Sequence, residues 1–214
     1  MTLIAALPGA VAQGLIWGIM AIGVYLTFRI LDIADLTVDG TMCTGGAVCI
    51  MMMLSGHNVW TAMLAATIAG MLAGLVTGIF HTFMGIPAIL AGILTQLSLY
   101  SIHLKIMGKA NQAINVDKYN LLVSLRHINN SDLTKNAIFI VAVICIVLIA
   151  VLYWFFGTEL GCSLRATGCN PNMSRAQGIN TDLCKVLGLM ISNGLVGLSS
   201  ALLAQYQGFA DVHM

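Results

Sequence analysis

AIFIVAVICIVLIAVLYWFF, residues 137–156, contains no Asp, Glu, Lys or Arg in twenty positions. At 1.5 Å of rise per residue, such a helix spans the roughly 30 Å hydrocarbon core of a bilayer. Five more runs extend the pattern: Pro8 to Ile30, Gly40 to Leu54, Val59 to Phe80, Pro87 to Met107 and Lys185 to Tyr206. The chain is 59% hydrophobic and 8% charged, where a soluble domain carries about a quarter charged residues. These features predict an all-α fold: a polytopic membrane helix bundle with about six transmembrane helices, forming one domain over residues 1–214. The second run is short and glycine-containing, so a partly re-entrant segment is an open alternative. A formal net charge of +1 argues against nucleic acid as a partner. The first residues lack the basic start and cleavage site of a signal peptide, so the first run reads as a retained span.

Small residues recur at helix-packing spacing. Gly14 and Gly18 form one G-x-x-x-G, and Gly70, Gly74 and Gly78 form two in series. Such spacing predicts close approach of a neighbouring backbone. The runs carry no charged residue near their middles, which disfavours a proton-coupled carrier. Asp32, Asp35 and Asp39 follow the first run at helical offsets, and Asp39 reads most simply as the N-cap of the second. The six cysteines show no metal-ligand spacing, so no metal site is expected. No catalytic residues are expected either: neither a phosphate-binding G-x-x-x-x-G-K-[ST] nor a hydrolase or metalloprotease constellation occurs. Polar residues concentrate on the fourth and sixth runs, with Gln96, Ser98 and Tyr100 on one and Asn193, Ser199 and Gln205 on the other. In lipid they need partners inside the bundle. Each can join neighbouring helices, or together they can form the walls of a polar path.

Two links between spans are long. Residues 108–136 form a charged excursion with Tyr119, readable as a solvated loop or a docking element. Residues 157–184 contain GCSLRATGCNPNMSRAQGINTD, residues 161–182. Here Asn170 before Pro171 is an N-cap with proline at the first helical position, and Gly178 is a left-handed stop. The enclosed helix is barely two turns and needs support from the bundle or a partner. Arg165 and Arg175 supply cations on either side of the cap. A connector in the lipid headgroup layer, with its arginines on phosphates, and a peg for a partner protein both fit. Charge does not orient the chain, because the two links bracket one span and carry similar numbers of Lys and Arg.

The run Arg165-Ala166-Thr167-Gly168-Cys169-Asn170, followed by Pro171 and then Arg175-Ala176-Gln177-Gly178-Ile179-Asn180, resembles the cytoplasmic loop of ABC-transporter permeases of the branched-chain amino acid and ribose importer group. Tyr25 to Asp32 with Leu36 to Gly40, and Ser192 to Leu195 with Gln205 to Asp211, are similar to the branch paired with lipoprotein-type binding proteins, some of them linked to aromatic amino acids. The resemblance implies a multi-pass permease of the bacterial inner membrane, not itself an enzyme, that imports a small amino-acid-like solute. It implies that residues 161–182 form a coupling helix on a cytoplasmic ATPase subunit, which would hold the ATP and Mg. It further implies an external binding protein, a second permease copy, a cytoplasmic 157–184 link and an external 108–136 link. Relative to that branch the chain is expected to be short at its C-terminus by about two spans of ~20 residues each. A secondary carrier or channel without an ATPase is the alternative.

Overall fold

The computed structural model describes residues 3–109, 111–114, 123 and 137–211. Six helices among them are long and apolar enough to cross a membrane. They are α1 (Leu3–Tyr25, continued by a π-helical turn, Leu26–Ile30), α2 (Thr37–Leu54), α3 (Val59–Thr82), α4 (Ala88–Met107), α5 (Ala137–Gly157) and α8 (Thr181–Gln207). Two shorter helices, α6 (Glu159–Cys169) and α7 (Pro171–Ala176), lie between α5 and α8. Strands β1 (Asn111–Ala113) and β2 (Phe209–Asp211) pair antiparallel and clasp the ends of α4 and α8. Most of the 108–136 excursion, including Lys118, Tyr119, Arg126 and Lys135, lies outside the described residues.

The bundle is built around α2 and α8. Large apolar side chains on α3 point away from them at four-residue spacing: Trp60, Leu64, Ile68, Leu72 and Val76 are all exposed. Its opposite face is small. A Cβ on Gly70 would run into the Asn193 carbonyl, one on Gly74 into the Leu189 carbonyl, and one on Gly78 would lie 3.1 Å from Val186 Cα. Gly197 answers from α8, where a Cβ would come within 2.6 Å of the Ala66 carbonyl. Without a hydrophobic drive between helices in lipid, this contact of backbones supplies the dispersion energy of association. The second predicted seam is not formed among the described residues: none of their atoms outside α1 lies within 4 Å of a Cβ built on Gly14 or Gly18. Spacing places glycines on one face but does not say which face meets a neighbour.

Buried hydroxyls and an amide tie the helices crosswise. Thr37 and Thr77 share a hydrogen bond of 2.7 Å, and Thr77 donates to Thr95 at 3.0 Å, joining α2, α3 and α4. Ser192 donates to the Gly23 carbonyl, Ser199 to Ile16, Ser200 to Met42, and Tyr206 to Gly9. Asn193 Oδ1 accepts from Thr41 at 2.8 Å, and Asn193 Nδ2 donates to Asp35 Oδ2 at 2.7 Å.

The connection from α1 to α2 departs from expectation. The π turn passes Leu31 N–H to the Leu26 carbonyl, and Asp32 then takes a left-handed φ of 55°, which Asp tolerates better than most residues. Residues 32–36 are non-helical, so Asp32, Asp35 and Asp39 do not share one helical face. Helix α2 is continuous and begins at Thr37, so Asp39 lies inside its first turn and is not the N-cap. Asp35 performs that service, its Oδ1 accepting the Thr37 N–H at 2.9 Å. The start is also recessed. Leu36 packs against Gly92, the fifth residue of α4, where a Cβ would lie 2.9 Å from Leu36 N.

A matched pair of substitutions tests the seam. Gly70→Ala overpacks the α3–α8 contact and is expected to cost about 1–3 kcal/mol, seen as a lower Tm of the detergent-solubilised protein. Gly14→Ala is expected to leave Tm unchanged.

Candidate functional site

The polar link between α5 and α8 folds as a bracket of two helices. Thr158 starts α6, its Oγ1 accepting the Gly161 N–H at 3.4 Å, with Glu159 in the first turn where the helix dipole favours a carboxylate. Helix α6 ends at Asn170 because Pro171 disfavours helical backbone at the residue before it. Asn170 is accordingly extended, at φ −157° and ψ 99°. Its Oδ1 accepts the N–H groups of Asn172 and Met173 at 3.1 and 3.2 Å, so one residue closes α6 and opens α7. At the far end Gly178 has φ 83°. The Ile179 N–H bonds to Ser174 O at 3.1 Å and the Gly178 N–H to Arg175 O at 3.0 Å, which is a Schellman closure. Asn180 Oδ1 then accepts the Leu183 N–H at 3.2 Å and caps α8. Three side-chain caps in 23 residues leave this link little conformational freedom.

The bracket is fastened to three spans. Gly168 lies against the Ile30 carbonyl at the end of the π turn, with no room for a Cβ. Leu164 is buried with Leu31, Ile33, Cys184 and Leu189, and Ile179 and Phe155 pack around them. Arg165 donates through Nη2 to the Phe156 carbonyl and sits 5.6 Å from that ring's centroid. It therefore caps the last turn of α5. Arg175 donates through Nε to Thr181 Oγ1 at 2.7 Å and through Nη2 to Asp182 Oδ1 at 3.0 Å, bridging α7 to the first turn of α8. Both arginines are exposed yet engaged within the chain. The pair with Asp182, half open to solvent, contributes at most about 1 kcal/mol.

The eleven residues singled out on this link therefore divide by task. Thr167 is buried and bonds back to Ser163 O at 2.8 Å. Gly168, Asn170, Pro171, Gly178, Ile179 and Asn180 shape and seat the bracket, and Arg165 and Arg175 fasten it. Ala166 and Ala176 face outward, together with Asn170 and Pro171. Sequence reasoning missed Met173, which is 60% exposed on α7. An apolar side chain between Asn172 and Ser174 in so polar a link was the available signal. Ala166, Cys169, Asn170, Met173, Ser174, Gln177 and Ile179 line a shallow pocket of about 140 Å³ between α6 and α7.

The six residues proposed as path walls are not brought together. Asn193, Ser199 and Gln205 are buried and joined to other helices, Gln205 Nε2 reaching Cys49 Sγ at 3.6 Å. On α4, Gln96 is half-buried against Gly40, while Ser98 and Tyr100 are exposed. Ser98 bonds to its own helix at Leu94 O, and the Tyr100 ring stands edge-on to His103 at 5.3 Å. No group of three or more His, Cys, Asp or Glu is placed to hold a metal among the described residues.

A six-span bundle with a capped helical bracket held outside the spans has the architecture of a multi-pass membrane transport permease of the bacterial inner membrane. Residues 7–214 match the family described as "Branched-chain amino acid transport system / permease component", and the chain belongs to that family, whose members are transport proteins and not enzymes. It is similar to the tyrosine transport system permease protein of Clostridioides difficile (strain R20291), at 41% identity over 94% of this chain and 65% of that protein. It is 36% identical to the uncharacterized protein RP368 of Rickettsia prowazekii (strain Madrid E), over 96% of this chain and 70% of that one. A more distant relative is the fructose import permease protein FruF of Bifidobacterium longum (strain NCC 2705), at 27% identity over 77% of this chain and 46% of its own length. The chain thus spans 65%, 70% and 46% of the lengths of these three relatives. No solved structure matches it.

Two glycines separate seating from shaping. Gly168→Ala is expected to push α6 off Ile30 and cost about 1–3 kcal/mol. Gly178→Ala places a Cβ in a left-handed conformation at about 1–2 kcal/mol. Limited proteolysis within 158–180, followed by mass spectrometry, is expected to speed up in both and to be unchanged in Ala176→Ser.

Proposed function

We propose that this chain is the membrane-spanning subunit of an ABC importer. It moves a small amino-acid-like solute, handed over by an external binding protein, and uses ATP hydrolysed in a partner ATPase that binds ATP and Mg. The α6–α7 bracket is the cytoplasmic dock for that ATPase, the 108–136 link is external, and two copies of the permease work together. One observation carries the reading. The 157–184 link is a doubly capped helix pair, fastened to α1, α5 and α8, whose exposed face carries Met173 among Ala166, Asn170, Pro171, Asn172, Ala176 and Gln177. A connector lying among headgroups would turn its arginines outward to phosphates. Here both arginines are spent on internal carbonyl, hydroxyl and carboxylate partners. An exposed methionine on a capped helix suits a protein groove, since Met is enriched at interfaces. The amino-acid-like cargo follows from family membership and from the name of the tyrosine permease relative.

The test is capture of the ATPase by the tagged, full-length chain from native membranes, with uptake of labelled amino acids followed in parallel. Met173→Glu places a charge in the dock without touching a cap or a fastening. It is expected to weaken capture at least about tenfold, equivalent to about 1.4 kcal/mol, with Tm unchanged. Undiminished capture and uptake by this variant would remove α7 from the interface. Uptake by a chain that never binds an ATPase would favour a secondary carrier or channel.

A further inference from the structure

The recess of α2 brings a carboxylate to a depth where the sequence pattern shows none. Asp39 is the third residue of α2 and is exposed. Its neighbour Gly40 lies against Gln96, with a built Cβ 3.0 Å from Gln96 Cα. Gln96 is eight residues beyond the start of α4 at Ala88, so Asp39 sits about 12 Å along that helix. A second ruler agrees. Thr41, two residues on, bonds to Asn193 at 2.8 Å and lies 3.2 Å from the Cβ position of Gly70, at the midpoint of α3 (Val59–Thr82). Asp39 is therefore close to the middle of a hydrocarbon layer about 30 Å thick.

A charged carboxylate facing lipid at that depth costs about 2.5–3.5 kcal/mol. No described side chain pairs with Asp39 to relieve it. The backbone beside it is irregular from residue 32 to residue 36, and non-helical backbone at membrane depth is tolerated only where protein covers it or water reaches it. Leu31 and Ile33 are covered, whereas Leu36 and Asp39 are open and Gln96 is half-open. The outward faces of α3 and α5 are different: Leu64, Ile68, Leu72, Ile146 and Val147 are exposed there without an interrupting charge. Lipid suits those faces, and it suits Leu90, Leu94 and Leu97 on α4, but not the edge where α2 meets α4 and Asp39 and Gln96 stand.

We propose that the surface formed by the first turn of α2 and the middle of α4, with Leu36, Asp39 and Gln96, is a wall of the water-filled translocation path. Asp39 gives that path its negative charge, so ammonium-bearing solutes are drawn to it over anions. The inference deepens the permease reading and rests on it for the identity of the path.

Accessibility of introduced cysteines in inside-out membrane vesicles tests it, using the full chain with Cys162→Ser and Cys169→Ser to remove the exposed thiols and leave the four buried ones. Asp39→Cys and Gln96→Cys are expected to react with a membrane-impermeant methanethiosulfonate, and Leu72→Cys is not. At Gln96→Cys, a trimethylammonium reagent is expected to outpace a sulfonate reagent of matched size by about tenfold through the local field. That preference should collapse when Asp39→Asn is added. Reaction of both cysteines no faster than Leu72→Cys would overturn the proposal. So would spontaneous disulfide dimers at Asp39→Cys that exclude the reagent, since the face would then be a contact between copies. Should Asp39→Cys fail to fold, Gln96→Cys decides by the same comparison. Loss of labelling leaves ATPase capture intact and condemns only the wall, whereas loss of capture with labelling retained condemns the importer reading.

Discussion

The architecture depends on how closely α3 and α8 approach at Asn193. The Asn193 main-chain carbonyl occupies the space that a side chain at Gly70 would need. With the backbones in contact there, the Asn193 amide is aimed across to α2, where it holds Thr41 and Asp35 together. Without those partners, a buried amide would face desolvation without compensation. With them, α2 is fixed in depth as well as in rotation. The recess of α2, the depth of Asp39 and the course of residues 31–36 all follow from this crossing.

The bracket is organised by the opposite kind of chemistry. Its helices are too short to persist on propensity alone. Each end is closed by a specific acceptor or a left-handed glycine, and the small core around Leu164 is continuous with the bundle. Because Gly168 bears on α1, Arg165 on α5, and Arg175 with Asn180 on α8, a displacement of the bracket has no slack to absorb it. On the proposed reading this is the property a coupling element requires: a push is delivered as rigid-body motion of packed elements.

The spans were legible in the sequence because length and apolarity alone determine them in a membrane, and the starts of α3, α4 and α5 fall within one residue of where composition puts them. The cap at Asn170 and the stop at Gly178 were legible because each rests on one residue's local chemistry. Helix α6 was not, since its apolar positions, Leu160 and Leu164, are few and its start is signalled only by Thr158. Polarity on α4 and α8 marked buried hydrogen bonds in one helix and exposed groups in the other, a difference created by neighbours that no single segment encodes. The depth of Asp39 was the largest omission. Hydropathy treats a polar stretch between two apolar runs as an exit from the membrane, and residues 31–36 instead remain among the helices.

That segment also joins the two regions that matter to the proposed function. Leu31 and Ile33 pack into the core beneath the bracket with Leu164 and Leu189. Asp35, two residues further, caps α2 and holds Asn193, and the next turn carries Asp39. Only three residues separate the bracket's core at Ile33 from α2's start at Thr37. A short non-helical segment anchored through Leu31, Ile33 and Asp35 transmits displacement better than a solvated loop would, because those side chains are already committed. Movement of α6 at Gly168 would therefore be felt at the first turn of α2 without passing through the length of any span. On the proposed reading, the dock at α6 and the carboxylate of Asp39 would be mechanical neighbours, although Gly168 and Asp39 stand about 130 residues apart in the chain.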